Sequence, residues 1–169
     1  DEFATHTNLR PKVMNNSKGN NYYILNSPVR TIITNFETIS GEKERIERFL
    51  KTRNVAIIID ESAKIKNPDS KLTQDFLYLA PLFYRKVIMS GTPVANRPYD
   101  IWSQIYFLDL GESLGTDFAS FKHTCDLSND LVRNAERKEL FEDNVSKIFD
   151  KIRSFTVRET KNSGIITLP

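Results

Sequence analysis

Val55-Ala-Ile-Ile-Ile-Asp60-Glu61 is the stretch on which the reading of this chain turns. Its five leading residues are apolar, mostly β-branched, and show no polar alternation. That pattern predicts a strand over Val55–Ile59, buried on both faces as in a parallel sheet covered by helices. The strand runs into two adjacent carboxylates. In open α/β sheets ligands bind at the carboxyl ends of strands, so Asp60 and Glu61 are candidates for a ligand site. A carboxylate such as Asp60 suits Mg²⁺ held through water, because that ion keeps much of its hydration shell. A second one, Glu61, suits a base that orients or deprotonates a water attacking a phosphate. Taken alone, the pair reads equally well as a solvated acidic turn after a buried strand.

Working outward, three more short strands are predicted: Lys12–Met14, Thr31–Thr34 and Lys86–Met89, the last ending at Ser90-Gly-Thr-Pro93. Amphipathic helices fall between and after them. Glu42–Thr52 carries Ile46, Phe49 and Leu50 on one face. Ser70 suits the cap of a helix bearing Leu72, Phe76, Leu77 and Leu79. Pro98 suits the first turn of a helix that displays Ile101, Trp102, Ile105 and Leu108. Phe141, Val145, Ile148 and Ile152 follow a last helical stripe. The segment Asn15–Asn21, rich in Asn and Gly, reads as a turn or surface loop. Strands alternate with helices and then helices take over, which predicts α/β layers with a helical extension. The expected division is 1–110 for the layered part and 111–169 for the extension.

Bulk properties agree with one soluble-type domain. Of 169 residues, 39% are apolar and 27% charged, enough to bury a real core. A net charge of +2 neither favours nor excludes a nucleic-acid partner, because a local basic stripe can sit in a neutral total. Cys125 is the single cysteine, so no intrachain disulfide is available. His6 and His123 are too isolated for a metal site. These features predict a reducing, intracellular compartment. No apolar run approaches the ~18 residues of a membrane span, and no membrane partner is expected. The chain starts at Asp1, which reads as a processed piece of a longer protein.

The residues after the carboxylate pair add a family resemblance. Asp60-Glu-Ser-Ala-Lys-Ile-Lys-Asn67 resembles the extended motif II written D-E-A-H-x-x-K-N in the Swi/Snf family of helicase-like, DNA-dependent ATPases. Met89-Ser-Gly-Thr-Pro-Val-Ala-Asn96 resembles its motif III, T-G-T-P-x-x-N. Tyr99-Asp-Ile-Trp-Ser-Gln-Ile-Tyr-Phe-Leu-Asp109 resembles its E-L-W-S-L-L-x-F-L segment, and Phe118-Ala-Ser-Phe121 a following F-x-x-x-F-like stretch. Thr34-Asn-Phe-Glu-Thr38 resembles motif Ib, and Asp1-Glu-Phe3 the end of the segment after motif Ia. Val157-Arg-Glu-Thr-Lys161 with Leu168-Pro169 resembles L-R-R-x-K…L-P. The resemblance runs in order along nearly the whole chain.

What the resemblance implies is the second half of a first RecA-like lobe, a partial parallel sheet flanked by helices. The implied activity is ATP hydrolysis driving movement on duplex DNA, with ATP and Mg²⁺ as cofactors. Asp60 would support Mg²⁺ and Glu61 would activate water. Ser90, Gly91 and Thr92 would couple hydrolysis to DNA. Thr34, Asn35 and Arg97 would face the DNA backbone. Lys64, Lys66, Asn67, Arg158 and Lys161 would contact phosphate or a second RecA-like domain, although the first three also suit a solvated loop. A strand-separating RNA or DNA helicase and a non-catalytic nucleic-acid-binding module are the rival readings.

Two departures stand out. Ser62-Ala63 replaces the Ala-His of motif II, so a side-chain bridge from that His to motif III is absent or rerouted. Glu159 replaces the second Arg of R-R-x-K, which puts that residue's role in doubt. The sequence also contains no G-x-x-x-x-G-K-[ST] phosphate loop. The expectation is therefore a chain inactive by itself, with an unpaired sheet edge at Lys86–Met89 open to self-association. The compact spacing between the motif III helix and Arg158 favours a bacterial cytoplasm over a nucleus.

Overall fold

The computed structural model describes residues 5–91, 98–125, 143 and 146–157. Strand β1 (Lys12–Val13) leads to helix α1 (Lys18–Asn26), then β2 (Ile32–Ile33), α2 (Phe36–Gly41) and α3 (Lys43–Thr52). Strand β3 (Ala56–Ile59) follows, then a 3₁₀ turn at Ser62–Ile65, helix α4 (Lys71–Leu79), a second 3₁₀ turn at Ala80–Leu82, and β4 (Arg85–Ile88). A 3₁₀ turn at Pro98–Ile101 opens α5 (Trp102–Asp109). Helix α6 (Phe118–Cys125) comes next, and residues 146–152 are helical. No helix among the described residues is long and apolar enough to cross a membrane.

The strands form two parallel pairs, β1 with β2 and β3 with β4. The described residues thus give two small parallel ladders, not one continuous sheet. In the second ladder Ile57 lies opposite Lys86, Ile58 opposite Val87, and Ile59 opposite Ile88. The outer edge of β4 has no strand partner among the described residues.

The expectation of a β3 buried on both faces is corrected. Ile59 is 5% exposed, but Ile58 is 68% exposed and its neighbour Val87 49%. Successive side chains of a strand point to opposite faces. Ile59, Ile57 and Ile88 meet Phe76 and Phe107 of α4 and α5, whereas Ile58 and Val87 lie on the face those helices do not cover. An apolar run reports that a strand can be buried twice over, not that one chain supplies both covers.

Helix α4 joins the cores. Its Leu79 belongs to a cluster with Met14, Ile24, Leu25, Ile46 and Leu50. Its Phe76 belongs to a second cluster with Ile59, Ile65, Ala80 and Phe107. Ser70 caps the helix as the sequence predicts, its Oγ accepting from the Thr73 N–H at 3.2 Å. A third cluster gathers Trp102 and Ile105 of α5 with Phe121, Cys125, Ile148 and Ile152, so the C-terminal helical residues share a core with α5. The turn between α5 and α6 needs Gly111. Its φ is +92°, and a Cβ there would lie 2.8 Å from Thr116 Cγ2.

The reading of Asn15–Asn21 as a surface loop is also corrected. Helix α1 starts inside it, with Ser17 Oγ accepting from the Asn20 N–H at 3.4 Å. Asn21 is buried. Its amide donates to the Asn15 carbonyl at 2.7 Å and to Glu42 Oε1 at 3.1 Å, and accepts from the Asn15 N–H at 3.1 Å. Composition marked the segment as a turn. Tertiary satisfaction of one asparagine and burial of Ile24 and Leu25 make it a helix.

A polar node ties α4 to its neighbours. Asp75 is 3% exposed and accepts hydrogen bonds from Ser40 Oγ of α2 and from Lys43 Nζ of α3, the latter at 2.7 Å. Burial pushes the Asp75 carboxyl up, but the Lys43 and Ser40 hydrogen bonds outweigh it and hold the group below its ordinary range. The folded-state value is depressed, so this stabilisation is complete above the ordinary carboxylate pKa and is lost as pH falls through the folded value. Asp75→Asn is expected to lower Tm at neutral pH by about 3–8 °C. The difference from wild type should shrink in thermal melts taken below about pH 4. A Tm gap that is constant from pH 7 to pH 3 would contradict the assignment.

Candidate nucleotide-hydrolysis site

The pairing of β3 with β4 brings the two signature segments together. The Met89 N–H donates to the Ile59 carbonyl at 2.8 Å, and the Ser62 N–H donates to the Met89 carbonyl at 2.9 Å. Asp60 and Glu61 therefore lie beside Ser90 at the carboxyl ends of two adjacent parallel strands. Asp60, Glu61 and Gly91 are exposed, and Ser90 is half-buried. Thr92 and Arg97 lie outside the described residues, as do Arg158 and Lys161.

Glu61 has an unusual backbone. Its φ is 55° and ψ 48°, the left-handed region. A side chain in that region costs about 1–2 kcal/mol through the approach of Cβ to the following carbonyl. Such conformations persist where the surroundings over-determine them, and they cluster at functional positions. The Glu61 N–H donates to Asp60 Oδ1 at 2.9 Å, which folds the two carboxylates into one tight turn.

The residue that follows is held on several sides. Ser62 is 1% exposed, and besides the backbone bond to Met89 its Oγ donates to Gln104 Oε1 of α5 at 2.7 Å. Gln104, also 1% exposed, donates through Nε2 to the Asp100 carbonyl at 3.0 Å. Two further ties bind the same loop to α5 and its leading turn. Lys66 Nζ lies 3.3 Å from Asp100 Oδ2, and Ser103 Oγ donates to the Lys66 carbonyl at 3.2 Å. Ala63 makes no such bridge, and the side-chain bond at this turn comes from Ser62 and runs to α5 rather than to the end of β4. Sequence reasoning noted the substitution but not Gln104, because a polar residue on an apolar helix face gives no sign of its partner 42 positions away.

The other expected residues are dispersed. Lys64 is exposed. Asn67 shapes its own turn, its Oδ1 accepting from the Asp69 N–H at 3.1 Å. Asn35 caps α2, its Oδ1 accepting from the Thr38 N–H at 2.7 Å. The neighbouring Phe36 packs on Phe76 with ring centres 5.4 Å apart, and so joins the core that contains Ile59. A shallow depression of about 440 Å³ beside Lys43 and Asp75 includes neither Asp60 nor Glu61.

The donor set fits Mg²⁺. Asp60 and Glu61 are exposed oxygen donors, and neither has a cationic partner among the described residues. No group of three or more metal-ligating residues occurs among the described residues. Two carboxylates leave most of a coordination sphere to water and phosphate oxygens, which is how Mg²⁺ is usually held.

A family model described as the SNF2-related domain matches residues 1–169. The chain belongs to the SNF2-related domain family. Among its relatives, ATP-dependent DNA helicase DDM1 of Arabidopsis thaliana is 28% identical over 142 residues, 82% of this chain and 18% of that protein. The ISWI chromatin-remodeling complex ATPase ISW2 of Saccharomyces cerevisiae is 33% identical over 87 residues, 50% of this chain and 7% of that protein. The DNA repair and recombination protein RAD26 of the same yeast is 33% identical over 79 residues, 47% of this chain and 7% of that protein. This SNF2-related chain thus spans less than a fifth of the length of each of these curated relatives.

The left-handed backbone at Glu61 yields a test on stability alone. Glycine relieves the Cβ conflict, whereas alanine keeps it. Glu61→Gly is expected to raise Tm by about 2–4 °C over Glu61→Ala. A glycine variant less stable than the alanine variant would show that Glu61 does not adopt this backbone.

Proposed function

We propose that this chain is the water-activating part of a nucleotide site in a SNF2-type ATPase that moves on duplex DNA. The observation that carries the reading is the placement of Asp60 and Glu61 at the carboxyl end of β3, tied by backbone to the end of β4. Membership of the SNF2-related family supports it. In this reading the two parallel ladders belong to one RecA-like sheet. A phosphate loop and a second RecA-like domain, both encoded elsewhere in the full-length protein, complete the site. The chain alone does not hydrolyse ATP, because it lacks the backbone and lysine cradle that holds the β- and γ-phosphates.

Asp60 would hold Mg²⁺ through water, and Mg²⁺ when bound offsets charge on the phosphate oxygens. Glu61 accepts the proton of the attacking water at its carboxylate. Among the described residues no cation pairs with it, which leaves it available as a base. Ser90, which the β3–β4 pairing brings beside the carboxylates, couples the site to DNA together with Gly91 and Thr92 after it in the sequence. Thr34, Asn35 and Arg97 face the DNA backbone. Lys64, Lys66, Asn67, Arg158 and Lys161 serve phosphate or interdomain contacts, with Lys66 acting through its pairing with Asp100.

Two measurements address this reading. In the full-length protein, Glu61→Gln should lower the rate of ATP hydrolysis about 10²–10⁴-fold while ATP binding persists. Turnover within a factor of two of wild type, in a folded variant, would remove Glu61 from the role of base. The chain itself should bind duplex DNA weakly through phosphate contacts, with binding lost as salt rises from about 50 to 200 mM. Affinity that is the same at both salt concentrations, in a titration followed by anisotropy, would contradict a phosphate-facing surface.

A further inference from the structure

We propose that the hydrogen bond between Ser62 and Gln104 is a positioning device that keeps Glu61 in its left-handed conformation and so aims its carboxylate. The inference rests on the reading of Glu61 as the base.

Asp60 precedes Glu61 at an exposed strand end, and the Glu61 side chain is itself exposed. Neither offers packing that would resist relaxation of a strained φ. Ser62, the next residue, carries the restraint. Its N–H is held by the Met89 carbonyl at 2.9 Å, and its hydroxyl by Gln104 Oε1 at 2.7 Å, inside a site where both residues are 1% exposed. The peptide that follows Glu61 is held by backbone at both ends, its N–H by the Met89 carbonyl and its C=O by the Lys64 N–H at 3.0 Å. The Ser62–Gln104 bond adds a buried side-chain tie from this turn to α5 and fixes where the turn sits against that helix. Gln104 is in turn held by the Asp100 carbonyl at 3.0 Å, which keeps its acceptor pointed at Ser62.

The pair also departs together from the family patterns that the chain otherwise follows. Ser62 stands where D-E-A-H has Ala, and Gln104 stands where E-L-W-S-L-L has Leu. A lone buried hydroxyl or a lone buried amide would be destabilising, whereas the two satisfy each other. The chain thus carries a polar bridge at a place where the family pattern is apolar, one residue before the Ala63 that lacks the patterned His.

The test uses the full-length protein with Ser62→Ala combined with Gln104→Met. Removing both partners together strands no buried partner of the bond, so stability should stay near wild type. The expected result is a Tm within about 3 °C of wild type and a kcat for ATP hydrolysis lowered about 10- to 100-fold, the scale of a small misplacement of a reacting group. KM for ATP should change less than about two-fold, because both side chains are 1% exposed and out of reach of a ligand at the surface. Amide exchange at Ser62 should accelerate about ten-fold as the loop loosens. Wild-type kcat and wild-type exchange in a folded double variant would overturn the proposal. Glu61→Gln, measured alongside, separates the two levels. Loss of turnover there with none in the double variant overturns the positioning role alone, and near-normal turnover in both overturns the base assignment as well. If the double variant does not fold, Ser62→Cys keeps the volume, weakens the hydrogen bond and is judged on the same kcat and exchange criteria.

Discussion

Two backbone hydrogen bonds, from Met89 to Ile59 and from Ser62 to Met89, continue the β3–β4 ladder past its last paired residues and turn the chain at Glu61. Parallel strands cannot be joined by a tight hairpin, so the pairing requires the crossover through α4 between them. That crossover succeeds because α4 buries Phe76 in a cluster with Ile59 and Phe107 and, about one turn further on, Leu79 in a cluster with Ile46 and Leu50. The candidate site therefore depends on a core well away from it. Asp75 locks the same helix to α2 and α3, and α5 then closes over the loop through Ser62, Lys66 and Ser103.

Much of this was legible in the sequence, and the exceptions have physical reasons. The four short strands fall within a residue or two of the expected runs, because β-branched clusters next to turn residues leave few alternatives. Ser70 was readable as a cap and Pro98 as a helix opener for local reasons of the same kind. The short helix α2 was not foreseen, although Asn35 caps it. With six residues it has too little periodicity to register. Helix α1 was hidden by its asparagines, since Asn21 is satisfied by Asn15 and Glu42. A residue that favours turns in isolation is tolerated in a helix once its amide has fixed partners.

The site divides in the same way. Asp60, Glu61 and Ser90 were legible because their positions follow from strand ends. The left-handed backbone of Glu61 was not, because no local glycine or asparagine announces it. Gln104 was invisible for a different reason. Its role exists only through a long-range contact, and a single sequence does not reveal such pairs. The half-covered sheet belongs here too. Ile58 and Val87 look like interior residues in the sequence and lie on an exposed face in the structure, since burial on both faces of a strand needs two layers of helix.

The account centres on Glu61 as a base held in a tight, strained turn between β3 and the loop tied to α5. A crystal structure of the full-length protein with ADP, Mg²⁺ and a trigonal or tetrahedral phosphate mimic tests that arrangement directly. The account predicts a left-handed Glu61 with its carboxylate about 2.6–3.2 Å from the water in line with the mimic. A Glu61 with ordinary negative φ, or a carboxylate turned away from that water while another residue holds it, would contradict it.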